Sequence, residues 1–92
     1  NDLNKTSNVI KKSKNKKFSY IIKIADFYFN DTAKMMVTRI IDETKIKNPQ
    51  IEKITKEKFR VYLGPFNNIN SLQKSFNSIN ILRFENIEII KK

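Results

Sequence analysis

The sequence predicts a single α+β domain of order β-α-β-β-α-β: a four-stranded antiparallel sheet with two helices on one face. Three observations predict it. Two stretches, near residues 33–41 and 69–79, carry apolar residues at helical spacing. Strand-like runs with a period of two precede each of them and follow each of them. The chain has 92 residues, of which 39% are hydrophobic, enough for one small domain with a thin two-layer core.

Residues 1–17 are polar, rich in Lys and without an apolar period, so they are expected to be a disordered linker ahead of a domain at 18–92. A basic arm for a polyanion is the other reading. Phe18–Ala25 is the first strand. Phe18, Tyr20, Ile22 and Ile24 share the parity expected to face the core; Ser19, Ile21 and Lys23 share the other, expected to be half exposed. Asn30-Asp31 suits a helix start, and the helix is expected to run to about Lys45. Its apolar stripe is Ala33, Met36, Val37, Ile40 and Ile41; the two methionines read as core filling and helix surface. Lys45 and Lys47 suit the C-terminal end, and Pro49 prevents continuation.

Ile51–Thr55 is a short second strand, Lys56-Glu57-Lys58 a polar turn, and Phe59–Leu63 a third strand in a hairpin with the second. Phe59, Val61 and Leu63 point one way, Arg60 and Tyr62 the other. The one glycine of the chain, Gly64, is followed directly by Pro65. Glycine tolerates positive φ and proline does not extend a ladder, so the chain is expected to leave the sheet after Leu63, with Phe66 folding back on the core edge. Asn68 is a plausible cap for a second helix to about Asn80, with Ile69, Leu72, Phe76 and Ile79 on its apolar face. Glu85–Ile90 closes the domain as a fourth strand. One sheet face is then open, and functional groups are expected there: Ile21, Lys23, Arg60, Tyr62, and either Glu88 and Ile90 or their neighbours.

Composition narrows the function. There is no cysteine, which excludes disulfides and thiolate metal sites, and no histidine, which removes the usual general base and the commonest metal ligand. No cofactor and no metal are implied. The net charge of +10 suggests a polyanion, although a sequence crowded with Lys, Asn and Ile is also what AT-rich coding produces. Residues 1–17 hold six Lys against one Asp, so half of the excess sits there. The start at Asn1 suggests processing or excision from a longer protein. Val9-Ile10 is too short for a signal sequence, and no apolar run approaches the roughly 18 residues of a membrane span. The piece is expected to be soluble, with any anchor upstream.

Two stretches carry a resemblance. Tyr20–Phe27, YIIKIADF, resembles the Tyr-x-Val-Gln-Val-Gly-Ser-Phe opening of the SPOR (sporulation-related repeat) domain. Phe59–Phe66, FRVYLGPF, resembles its second signature, Tyr-Arg-Val-Arg-Val-Gly-Pro-Phe, and is the more specific of the two. Lys23 stands where the family usually has Gln, Ala25 where it has Gly, and Asp26 where it has a small polar residue. The resemblance covers about residues 18–90. It implies a ferredoxin/RNP-like fold and a bacterial envelope module, periplasmic and enriched at the septum. It also implies binding to peptidoglycan, with preference for glycan strands denuded of stem peptides. Such modules sit at the C-terminus of division proteins, amidases and rare-lipoprotein-A-type lytic transglycosylases, so catalysis would belong to a parent protein outside this chain.

The resemblance points to Lys23 and Asp26 as glycan-binding residues, then to Ile21, Arg60 and Tyr62. Tyr62 suits stacking on a sugar face, and Lys23 and Arg60 suit pairing with the lactyl carboxylates that stem-peptide removal exposes. The Lys-for-Gln change shifts weight from neutral hydrogen bonds to charge. The same residues also suit a purely structural reading, as cross-strand solubilising charges and a sheet-surface packer. The expected partner is peptidoglycan, with no nucleic acid, no direct membrane insertion and a monomeric state.

The strongest rival is an RRM-like RNA-binding module, which shares the element order and the basic charge. Its Lys/Arg-Gly-Phe-Gly/Ala-Phe run is missing, and Phe59 has core parity. Catalysis within the chain lacks a motif: there is no phosphate loop and no nucleophile with a base. Asp42-Glu43 and Asp26-Asp31 are the acidic clusters, and neither is marked as shielded. A protein-interaction module using a sheet edge remains a third class.

Overall fold

The computed structural model describes residues 18–92. The Lys-rich segment expected to be a linker lies outside the described residues. The elements are β1 (Tyr20–Phe27), α1 (Asn30–Glu43), β2 (Gln50–Thr55), β3 (Lys58–Phe66), α2 (Ile69–Ile79), a 3-10 turn (Asn80–Leu82) and β4 (Glu88–Lys91). Their order is β-α-β-β-α-β, as the sequence predicts. The strands form one antiparallel sheet in the order β2-β3-β1-β4. Each half of the chain therefore contributes one central strand and one edge strand.

The core lies between the sheet and both helices. Ile22 and Ile24 of β1 and Val61 and Leu63 of β3 meet Ala33 and Ile40 of α1 and Leu72 and Ile79 of α2 in one buried cluster. All eight are 6% exposed or less. Burying a side chain of this kind is worth about 1.5–3 kcal/mol, so this layer carries most of the fold's stability.

The helices depart from their expected ends for local reasons. α1 starts from Phe29, whose side chain makes no capping bond, while Asp31 lies in the first turn near the positive end of the dipole. At the other end Thr44 stops the helix. Its hydroxyl donates to the Ile40 carbonyl at 2.7 Å and accepts from the Ile46 N–H at 3.0 Å. This tucks Ile46 into the core at 9% exposure and leaves Lys45 and Lys47 beyond the helix. Ile41, expected in the stripe, is 45% exposed. α2 is capped as predicted: Asn68 Oδ1 accepts from the Ser71 N–H at 2.8 Å. Its first apolar position, Ile69, remains exposed.

Corrections to the sheet come first at Gly64-Pro65. The chain does not leave it after Leu63; β3 runs on through Gly64-Pro65 to Phe66, which pairs with Tyr20. Between Ile22↔Leu63 and Tyr20↔Phe66 β3 advances three residues and β1 two, so this stretch is a bulge, not an exit. Gly64 has φ +106°, and a Cβ there would sit 3.0 Å from the Phe66 N and 3.0 Å from its ring. The glycine is required, but to kink a strand. At the other end the fourth strand, Glu88–Lys91, is shorter than expected: the chain leaves α2 through a 3-10 turn and a left-handed Arg83 (φ 56°) and stays irregular as far as Ile87.

The second correction is Ile21. It has the parity of the open face, yet it is only 3% exposed and lies outside the main core cluster. It sits on a central strand opposite Ile90 of β4. An apolar side chain surrounded by neighbouring strands is covered even without a second layer.

Candidate functional site

The open face is built by cross-strand pairing, because residues directly opposite each other share a face. Lys23 pairs with Tyr62 on one side and Glu88 on the other. Asp26 pairs with Arg60, and Arg60 with Glu52. Ile90, opposite Ile21, completes the row on β4, so Glu88 and Ile90 are the outward parity of the fourth strand.

A bulge in β1 makes this grouping possible. Lys23 pairs with Tyr62 and Ala25 with Val61, so β1 spends two steps where β3 spends one. Ile24 and Ala25 both turn toward the helices, and Asp26 returns to the open face three residues after Lys23. Simple alternation would have sent Asp26 inward. The bulge thus brings together Lys23, Asp26, Arg60 and Tyr62, four of the five residues singled out from sequence. Ile21 shares their side of the sheet but is 3% exposed, so it offers almost no surface to a ligand.

The charged groups satisfy one another. Arg60 Nε donates to Asp26 Oδ1 at 2.9 Å and Arg60 Nη2 donates to Oδ2 at 3.1 Å, a fork-on-fork pair. Lys23 Nζ lies 3.7 Å from Asp26 Oδ2 and 3.4 Å from Glu88 Oε1. Lys92 Nζ lies 3.6 Å from Glu52 Oε1 and 5.4 Å from the centre of the Tyr62 ring. The side chains of Lys23, Asp26 and Arg60 are each about one-fifth exposed, so this is a packed polar patch with fixed geometry. The two hydrogen bonds from Arg60, helped by its charge and those of Lys23 and Lys58, hold the Asp26 carboxyl below its ordinary value against the opposing effect of burial. Arg60 is shifted upward by the same contact.

Three cations (Lys23, Arg60, Lys92) face three carboxylates (Asp26, Glu52, Glu88), so the patch is close to neutral. Arg60 uses two of its five N–H donors on Asp26, and three remain for acceptors from outside. Asp26 stays ionised, the opposite of what a general acid at neutral pH needs. Among the described residues no group of three or more His, Cys, Asp or Glu is placed to hold a metal. The same residues contain no helix long and apolar enough to cross a membrane.

Beside the patch an open cleft of about 530 Å³ runs between Lys23–Asp26 and the Phe84–Glu88 segment. A larger hollow, about 1010 Å³, is elsewhere, between the end of α1 and α2, and its lining mixes Asp42, Glu43, Lys47 and Lys74. The open face is the better candidate despite its smaller cleft, because it groups fixed charges and an outward aromatic on an uncovered sheet.

Sequence reasoning missed Tyr28 and Phe29. They follow Asp26 at the tip of β1, are 57% and 62% exposed, and stack edge-to-face with ring centres 4.8 Å apart. The signal was the run Phe27-Tyr28-Phe29 before a helix: only Phe27 packs against the core. Set against protein-family models, curated proteins and solved structures, the chain finds no match in any of the three.

Proposed function

We propose that this chain is a non-catalytic, SPOR-like module that binds peptidoglycan glycan strands denuded of stem peptides and so targets a parent envelope protein to the division site. The observation that carries the reading is the polar patch of Lys23, Asp26, Arg60 and Tyr62 on an uncovered sheet face. A glycan offers hydroxyls, acetamides and flat C–H faces. Prepositioned N–H donors and carboxylate acceptors suit the first two, and Tyr62 suits the third.

The preference for denuded strands follows from access. An uncovered sheet face can lie along a bare polysaccharide, whereas stem peptides hold the strand away from it. Direct pairing of Lys23 and Arg60 with lactyl carboxylates becomes a secondary contribution, because Asp26 and Glu88 already occupy both cations. The internally paired patch offers a phosphate backbone little net attraction, and Tyr62 is the one aromatic that these central strands turn outward within the patch, which argues against RNA as the ligand.

The test is cosedimentation of the chain with intact sacculi before and after an amidase strips the stem peptides, with single-stranded and structured RNA as competitors. Binding is expected to rise after amidase treatment and to resist RNA. No gain after amidase, or displacement by RNA, would overturn the reading. Tyr62→Ala is expected to weaken binding by roughly 3- to 10-fold, the value of one stacked ring.

A further inference from the structure

We infer that the outer edge of β4 is a self-association surface. Two copies of the chain pair their fourth strands antiparallel about a two-fold axis at Ile90, joining two four-stranded sheets into one. This departs from the monomer expected from the sequence and is independent of what the open face binds.

The backbone makes one side of β4 a free donor and acceptor row. Among the described residues the sheet ends at β4, beside β1. The Lys92 N–H donates to the Ser19 carbonyl at 2.8 Å, and the register Tyr20↔Lys91 puts Ser19 opposite Lys92. In an antiparallel ladder this marks a hydrogen-bonded pair, and such pairs alternate with non-bonded ones along the strand. Glu88, Ile90 and Lys92 therefore spend their backbone groups on β1. Ile89 and Lys91 turn theirs away from it.

Side chains then select one register. Outward backbone groups must meet outward groups, and residues directly opposite must share a face. Pairing Ile89 with the partner's Lys91 meets both demands, and the two-fold axis repeats it. Ile90 then meets the partner's Ile90 on the axis, and Glu88 meets the partner's Lys92. The Glu88 side chain is 60% exposed, with Lys23 Nζ at 3.4 Å, so it has room for a second ammonium. Lys92 holds only an exposed contact with Glu52, the kind worth least. Moving the axis toward Lys91 would set that lysine on its own copy. Moving it toward Ile89 would set Glu88 against the partner's Ile90 and lose the charge pairs.

Burial agrees with this register. Ile89 lies opposite Ile22, which is fully buried, yet Ile89 itself is 50% exposed because the sheet stops there. A neighbouring strand would cover it with the aliphatic stem of the partner's Lys91. The other edge is better guarded. β2 has a register break between Lys53 and Thr55, and self-pairing about Glu52 or Lys53 would oppose like charges. No such break interrupts β4. A strand of four residues makes a small interface, so the association is weak and rises with concentration.

The experiment follows the full chain by sedimentation velocity and backbone amide exchange, from dilute solution to about 1 mM. Protection at Ile89 and Lys91 should rise with concentration, while that of β2 stays flat. Ile89→Pro removes an outward N–H and none that β1 uses, so it should keep the parent's melting temperature to within a few degrees and lose the dimer. Lys91→Val puts an aliphatic pair on each side of the axis and should associate about 3- to 10-fold more tightly. Should Ile89→Pro fail to fold, the exchange pattern and Lys91→Val decide. A parent that stays monomeric across the range, a dimer that folded Ile89→Pro leaves intact, or protection that rises on β2 or the helices instead of β4 would overturn the inference.

Discussion

Asp26 is the residue on which the open face turns. It accepts both hydrogen bonds of the Arg60 fork and lies beside Lys23, with about one-fifth of its side chain exposed. A charge-assisted bidentate pair with that little solvent is worth more than an ordinary surface ion pair. Asp26→Asn is expected to lower stability by about 1–2 kcal/mol at neutral pH, read by urea denaturation. The pH dependence has a definite sign. The folded carboxyl titrates below its ordinary 3.8, so the folded state holds the proton less tightly than the unfolded chain does. The contribution is therefore fully present above about pH 4 and lost as pH falls through the lowered folded value. The stability gap between parent and Asp26→Asn should be flat from about pH 7 to about pH 5 and should close in stronger acid. A gap that already shrinks between those two values would mean that another group, not this carboxylate, sets it.

At the scale of elements, two bulges decide what the sheet presents. The β3 bulge depends on Gly64, whose φ of +106° lies where a side chain is strained and whose Cβ position is closed by Phe66. Gly64→Ala is expected to destabilise by about 2–3 kcal/mol and, if the protein still folds, to disturb the Tyr20–Phe66 pairing, visible as faster amide exchange at that end of β1. The β1 bulge controls the face directly, since it alone returns Asp26 to the side of Lys23. These devices explain what could be read in advance. Element order and type were legible, because the helical stripes and strand runs are local signals; Leu72 and Ile79 sit in the core as their spacing demands. Lys23, Arg60 and Tyr62 were legible as outward residues for the same reason. Asp26 entered the candidate list through the resemblance, and its side of the sheet was not legible, because a bulge is set by pairing with a distant strand. The burial of Ile21 was hidden likewise: it comes from the neighbours of a central strand, which no window along the chain contains. Ile41 and Ile69 erred the other way, being in helical register but beyond the edge of the sheet contact.

At the scale of the whole molecule, the net charge and the candidate site are separate. Residues 18–92 hold thirteen Lys and Arg against eight Asp and Glu, and residues 1–17 hold six Lys against one Asp. Within the open-face patch the three paired cations and three carboxylates balance, and Lys58, whose charge also acts on Asp26, adds one positive charge. On the proposed reading, long-range attraction to an anionic wall polymer would come mostly from residues outside the patch, and it would be screened over about 8–10 Å at physiological salt. On the proposed glycan reading, selectivity for denuded strands would have another origin, the close approach of a bare glycan to the uncovered sheet face. The two effects should respond differently to salt. Raising ionic strength is expected to weaken binding to intact and denuded sacculi by the same factor, leaving their ratio unchanged. Replacing the six lysines of residues 1–17 by glutamine should flatten that salt dependence and again leave the ratio alone. If the ratio instead collapses as salt rises, the discrimination is electrostatic. Lys23 and Arg60 would then be exchanging Asp26 and Glu88 for ligand carboxylates, and the contact now internal to the protein would be the one the glycan displaces.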